Sequence, residues 1–320
     1  MLFITNREPQ GSIRTTKKAR AYKFDLNKNS PSNSVYYCER LHEGDYREIG
    51  SDGLMSKLKE SKAKQILLFI HGFSNLPEPD IFPRVKKLQE YFDLKEPNLV
   101  EVVALIWPCD NDLGVIKDYW DDQKSADSSA FSFARVLQFF MLWRDKSPED
   151  SPCLKPINVL AHSMGNRVLR ETLSVWNKYD LAKGVPLLFR NTILMAADIV
   201  NESLEPKEAG RLISQASRNV SVYYASDDLA LRSSKISNLK NMVASRRLGH
   251  SGPEDMLKVQ SNVYCIDCDD FNNSYDCPKG HSYFLDDGNN QIGVVFEHLY
   301  NTIKTGRVFV ADSLDRKHIL

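Results

Sequence analysis

The sequence lacks an excess of either charge. Its 42 basic residues balance 42 acidic ones over 320 positions, so no net field draws the chain to nucleic acid or to an anionic membrane surface. It also lacks an apolar run of membrane length. The longest, such as Ile66–Ile70 and Val102–Trp107, fall far short of the roughly 20 residues that a spanning helix needs. The N-terminal apolar stretch Met1–Ile4 is too short for a signal-peptide core, and no basic segment precedes it. Cysteine is sparse. The six, Cys38, Cys109, Cys153, Cys265, Cys268 and Cys277, read as reduced thiols in a cytoplasmic protein rather than as a disulfide framework. There is no internal repeat and no long low-complexity segment. What remains has the balance of a soluble globular chain, long enough for one large α/β domain with a buried core.

The first clear core element is Gln65–Ile70, QILLFI. It is continuously apolar, as a strand buried on both faces of a parallel sheet must be. Similar runs recur at Val100–Trp107, Ile157–Leu160, Asn191–Ala196, Val220–Ala225 and Val263–Ile266. Between them, apolar residues at helical spacing mark Ser125–Trp143, Asn166–Trp176, Ala209–Ala216, Leu229–Val243 and Ile292–Ile303. Strands alternating with such helices predict βαβ units and a mostly parallel central sheet with helices on both faces. Ser34–Cys38 reads as a strand and Gly53–Lys62 as a short helix. Trp107–Gln123 and Ser245–Asn262 are irregular and polar, the character of lid segments. The aromatic-rich stripe with Phe131, Phe133, Phe139, Phe140, Met141 and Trp143 reads as core rather than as a lipid-binding face. Three segments are expected: an arm with the first strands over 1–60, a core over 61–304 and a polar, exposed tail over 305–320.

The sharpest signal is Ile157-Asn158-Val159-Leu160-Ala161-His162-Ser163-Met164-Gly165-Asn166. An apolar strand runs into small-x-Ser-x-Gly and then into an amphipathic helix, the pattern of a nucleophile elbow. The serine of such an elbow sits on a strained turn. Residues two places away on each side must be small to avoid the strand and the helix, and here they are Ala161 and Gly165. The helix N-terminus beneath adds positive potential for a developing oxyanion. Upstream, the strand Gln65–Ile70 ends in His71-Gly72-Phe73. In α/β-hydrolases the residue after such a pair donates its backbone N–H to the oxyanion, and the residue after the nucleophile gives the second. Those residues are Phe73 and Met164.

A serine needs a base, and the base needs an orienting carboxylate. In this fold they follow in the order serine, acid, histidine. His281, in Gly280-His281-Ser282-Tyr283-Phe284 after the last apolar strand, is the candidate base, with His250 second. His298 and His318 read as packing or solvated. Asp228 follows the strand Val220–Ala225 and is the candidate acid. Asp198, at the end of the preceding strand, is the alternative. Asp227, adjacent to Asp228, could cap the following helix instead, and capping is the alternative reading for each acid.

Taken together, the motifs resemble a bacterial α/β-hydrolase family catalogued as domain of unknown function 900. The matching pieces are His71-Gly72-Phe73, Trp107-Pro108, Tyr119 with Asp122 before Ser125-Ala126, and His162-Ser163-Met164-Gly165-Asn166-Arg167. They continue with Ala196-Ala197-Asp198, Asp228-Leu229-Ala230-Leu231 and Gly280-His281-Ser282-Tyr283-Phe284. The likeness spans about residues 60 to 304. It implies an esterase- or lipase-like serine hydrolase with a Ser163–Asp228–His281 triad, acting without a cofactor on a small-molecule or lipid acyl substrate. It implies no particular substrate, and the Lys-rich arm and the Ser245–Asn262 insert depart from it. Two rival readings stand beside it: a zinc site of Cys265, Cys268, Cys277 and His281, and a non-catalytic hydrolase-like domain that binds a partner.

Overall fold

The computed structural model describes residues 1–11, 20–109, 115–146, 153–181, 184–232, 246–269, 271–276, 279–286, 289–311 and 314–320, with backbone alone for 115–117. The chain forms two compact units, one of Met1–Pro156 with Glu171–Gly184, the other of Ile157–Arg170 with Val185–Leu320.

In the first unit the expected strand is found at Gln65–Ile70 (β5), pairing in parallel with Val100–Ile106 (β6). The apolar N-terminal run is a strand, Leu2–Arg7 (β1), lying parallel to β6 on one side and antiparallel to Pro31–His42 (β3) on the other. Asp45–Glu48 (β4) and Arg20–Tyr22 (β2) extend this antiparallel edge. The edge is held by aromatic packing. Phe3, Tyr22, Phe24, Tyr46 and Phe82 meet at ring-centroid distances of 5.0 to 6.4 Å. Helix α1 spans Gly50–Glu60, close to the expected position. Helix α2, Phe82–Lys95, was not among the expected elements. Its signal was present: Val85, Leu88 and Phe92 are buried at helical spacing behind a proline in the first turn. Helix α3 runs from Val115 to Asp145. Its aromatic stripe divides: Phe133 and Phe140 are buried as expected, whereas Phe131 and Phe139 are half-exposed.

In the second unit every strand is parallel to its neighbours. Ile157–His162 (β7), Phe189–Met195 (β8), Ser217–Tyr224 (β9) and Val263–Asp267 (β10) pair in that order. The expected tail contributes one more strand, Lys317–Ile319 (β11), on the outside of β10. Its backbone finds the edge of β10 although its side chains remain largely exposed. Register is pinned by a polar ladder inside the core. Asn219 donates to Asn191 at 2.9 Å, and Asn191 donates to Asn158 at 2.8 Å, across three adjoining strands. A one-residue slip would leave these buried amides unpaired, so the ladder fixes where β7 ends, and with it the position of Ser163.

Helix α4 spans Gly165–Tyr179, of which Gly165–Arg170 belong to the second unit; its other helices include Arg211–Ala216 (α5), Leu248–Ser251 (α6), Asn272–Tyr275 (α7) and Val294–Thr305 (α8). Residues 229–232 begin the helix expected over Leu229–Val243, and the rest of it lies outside the described residues. The described part of the Ser245–Asn262 insert does not have the character of a free lid. Leu248 N–H donates to Ile199, Gly249 N–H to Ala197, and the Gly249 carbonyl accepts from Ala225, at 2.8 to 3.0 Å. A side chain at Gly249 would collide with the backbone of Ala196 and Ala197, so glycine is required by the close approach. These backbone hydrogen bonds lace the insert across the ends of β8 and β9.

Candidate active site

Strand β7 ends at His162, and α4 begins at Gly165. Ser163 lies between them with φ of 53°, in the left-handed region. For a residue bearing a side chain this costs about 1–3 kcal/mol and persists only where the surroundings hold it. They do. Ser163 N–H donates to the Met195 carbonyl at 3.0 Å, and the Ser163 carbonyl accepts from the N–H groups of Asp198 at 3.2 Å and Asn166 at 3.1 Å. The buried Asn166 amide then donates to the carbonyls of Ala161 and Ser163, each at 3.0 Å, and to that of Met195 at 3.4 Å. One side chain thus fastens both sides of the turn. Asn166 appears in the sequence motif without an assigned role, and its place directly after the glycine of the elbow was the signal available.

The structure brings His281 and Asp228 together. Nδ1 of His281 meets Oδ2 of Asp228 at 2.6 Å, and the Asp228 carboxylate is fully buried. The second oxygen of Asp228 accepts the Leu231 N–H at 2.9 Å, so this residue caps the helical turn that starts at 229. Of the two adjacent carboxylates, Asp228 is the one that caps. Asp227 instead accepts hydrogen bonds from the side-chain amides of Asn272 and Asn273. Burial alone would lower the pKa of His281; the charge and hydrogen bond of Asp228, with Asp198 and Asp276 behind them, outweigh it and raise it above the ordinary value. The loop that carries His281 also touches the turn at Ser163. His162, immediately before Ser163, donates from Nε2 to the His281 carbonyl at 3.2 Å, and the two rings lie 4.8 Å apart.

Asp198, the alternative acid, is placed differently. It forms a buried ion pair with Arg247, Nε to Oδ1, at 3.2 Å. His250, the alternative base, sits in α6 one residue after Gly249, in the segment laced to the strand ends. His298 is a packing histidine: Nδ1 meets the Tyr223 hydroxyl at 2.7 Å and Nε2 donates to the Phe309 carbonyl at 2.8 Å. The members of the alternative zinc set that are described have other partners. The Cys265 thiol lies 3.2 Å from the Met256 sulfur, and burial pushes its pKa up to about 12, away from the thiolate a metal needs. Cys268 is raised by burial as well, and His281 is engaged by Asp228. Cys277 lies outside the described residues. Among the described residues no group of three or more His, Cys, Asp or Glu is gathered to hold a metal ion.

In the first unit, His71, just after β5, is a neutral structural histidine. Its Nε2 accepts the Trp107 N–H at 3.1 Å, its ring stacks on the indole of Trp107, and its carbonyl accepts the indole N–H at 2.9 Å. The proton therefore resides on Nδ1, 2.9 Å from the Gly72 carbonyl oxygen. Burial, assisted by the charges of Arg7 and Arg84, pushes its pKa down to about 3. Beyond it, Asn75 donates to the carbonyls of Gly72 at 3.1 Å and Phe73 at 2.6 Å, which fixes the peptide planes of this strand end. Phe73 packs edge-on against Tyr119. Trp107 and Cys109, at the start of the other expected lid segment, are fully buried.

Among solved structures, a match is found to phospholipase PlaB from Legionella pneumophila, with 12% identity over 71% of this chain and a TM-score of 0.29. The chain spans 42% of the length of that protein. No curated protein matches. The family described as alpha/beta hydrolase of unknown function, DUF900, matches residues 50–295, most of the chain. With a mostly parallel sheet, a strained serine turn between strand and helix, and this family match, the chain belongs to the DUF900 alpha/beta hydrolases.

Proposed function

We propose that the protein is a serine hydrolase that cleaves an acyl ester through Ser163, His281 and Asp228. The observation that carries this reading is the 2.6 Å contact between His281 Nδ1 and the buried Asp228 carboxylate, in a loop that touches the elbow bearing Ser163. With Nδ1 committed to Asp228, Nε2 is the nitrogen that can exchange a proton with a serine hydroxyl. His281 takes the Ser163 proton as the hydroxyl oxygen attacks the acyl carbonyl. It then returns the proton to the departing alcohol. Water attacks the acyl-enzyme by the same route and releases the acid. Asp228 keeps the ring in the required tautomer and stabilises the imidazolium. The Met164 N–H, just before the first turn of α4, is assigned to the oxyanion, and the sequence motif nominates the Phe73 N–H as the second donor.

The substrate class proposed is a small-molecule or lipid acyl ester. No helix among the described residues is long and apolar enough to cross a membrane. The five described cysteines are free and buried, which suits a reducing, cytoplasmic setting. Hydrolysis of a series of p-nitrophenyl esters of increasing acyl length tests the reading. Wild type is expected to turn over at least one of them, and Ser163→Ala to lose about 10³-fold or more of kcat. Equal rates in the folded mutant would remove Ser163 from the mechanism. Absence of any turnover with a folded, unreactive serine would favour the non-catalytic binding domain.

A further inference from the structure

The turn after β9 carries two adjacent carboxylates, and both reach the base loop by different routes. Asp228 holds the His281 ring directly. Asp227 holds the loop that carries it. One Asp227 oxygen accepts from the buried Asn272 amide at 2.6 Å, and the other accepts from Asn273. The same Asn272 nitrogen donates to the Gly280 carbonyl at 3.1 Å. Both partners of that nitrogen can only accept, so the amide has one admissible orientation. The Gly280 carbonyl belongs to the peptide bond that enters His281. Gly280 has φ of +61°, and a side chain there would collide with the amides of Asn272 and Asn273.

Two further ties close the loop. The N–H groups of His281 and Ser282 donate to the Asp276 carboxylate at 3.0 and 2.8 Å. Leu229 N–H, one residue after the acid, donates to the Lys279 carbonyl at 3.1 Å. The loop is therefore referenced to the acid turn itself, rather than to the sheet in general. Drift of the loop would have to lengthen or break several of these ties together.

We propose that Asp227 and Asn272 are positioning residues for the general base: acting through the Gly280 carbonyl, they set the height of His281 against Asp228. The proposal rests on the triad reading given above. A displacement of the imidazole by about 1 Å costs up to about 100-fold in rate, which defines the scale of the effect.

Asp227→Ala and Asn272→Ala are expected to lower the second-order rate of fluorophosphonate labelling by about 10- to 100-fold. They should also move the pH midpoint of labelling down, because the imidazolium loses part of its contact with Asp228. Asp227→Asn is the conservative rescue. Its oxygen still accepts from Asn272, and its nitrogen donates to Asn273 after that amide turns over. It should recover most of the rate, whereas an effect of charge alone would leave it as impaired as Asp227→Ala. A proton NMR titration of His281 reads the same geometry without any substrate. The hydrogen-bonded Nδ1 proton is expected far downfield in wild type and in Asp227→Asn, and shifted or exchange-broadened in the two alanine variants. Wild-type labelling rate, pH midpoint and Nδ1 resonance in both alanine variants would overturn the proposal and leave the triad standing. Failure of Ser163→Ala to abolish labelling would count against the triad instead, and the NMR comparison would still decide the role of Asp227.

Discussion

The ends of β8 and β9 present the same feature with different outcomes. Each strand leads to a buried aspartate, Asp198 after β8 and Asp228 after β9. Asp198 is neutralised by Arg247, and its backbone N–H supports the elbow at the Ser163 carbonyl. Asp228 is hydrogen-bonded by His281 at 2.6 Å. Both solutions meet the cost of burying a charge. They differ in the partner. A guanidinium keeps its proton throughout the accessible pH range, whereas an imidazole exchanges its proton near neutrality. On the triad reading proposed above, the titration of the partner, and not the place in the sheet, separates the two carboxylates.

The largest test of this contrast is to remove each charge in turn. Asp228→Asn should lower the labelling rate at Ser163 by about 10³-fold or more, since the ring loses its required tautomer. Asp198→Asn should be far less damaging to rate, and the reverse ranking would transfer the acid role to Asp198. Its effect should fall on stability. It leaves the Arg247 guanidinium buried without a counter-charge, at a cost of about 3–5 kcal/mol, read as a lowered urea midpoint. The double change Asp198→Leu with Arg247→Met should restore much of that loss, because neither charge is then left alone.

The smallest expected effect concerns pH. The base must be neutral to accept the serine proton, and its pKa lies above the ordinary histidine value. The rate should therefore fall on the acid side with a midpoint above about 6.5. Asp198→Asn should move that midpoint slightly down, since the Asp198 charge is one of those that raise it. The linkage to stability has the opposite sense. Folding favours the protonated ring, so the contribution of the His281–Asp228 pair is full below the unfolded pKa and fades as pH rises through the folded one. A rate profile with its acid midpoint below the ordinary value would contradict this electrostatic account.

The same contrast explains what was legible in the sequence. The parallel strands were readable because burial on both faces leaves continuous apolar runs such as QILLFI. The elbow was readable because its constraint is local: small residues must flank Ser163 within five positions. Asp228 and His281 could be nominated by chain order, but the choice against Asp198 depends on Arg247, which lies 49 positions away in sequence and carries no local mark. The roles of Asp227, Asn272 and Asp276 were invisible for the same reason, since a polar loop residue looks alike whether it faces water or a distant carbonyl. Strands β2, β4 and β11 were missed because short edge strands carry charged side chains and little periodicity. Helix α2 was a different kind of miss, since its apolar spacing was in plain view.

The central claim is that Ser163 is an activated nucleophile. Purified wild type and Ser163→Ala should be treated side by side with a fluorophosphonate probe, followed by intact mass measurement and peptide mapping. The account predicts one covalent adduct on wild type, mapped to Ser163, and none on the folded mutant. A folded wild type that stays unmodified, or an adduct that persists in Ser163→Ala, would contradict it.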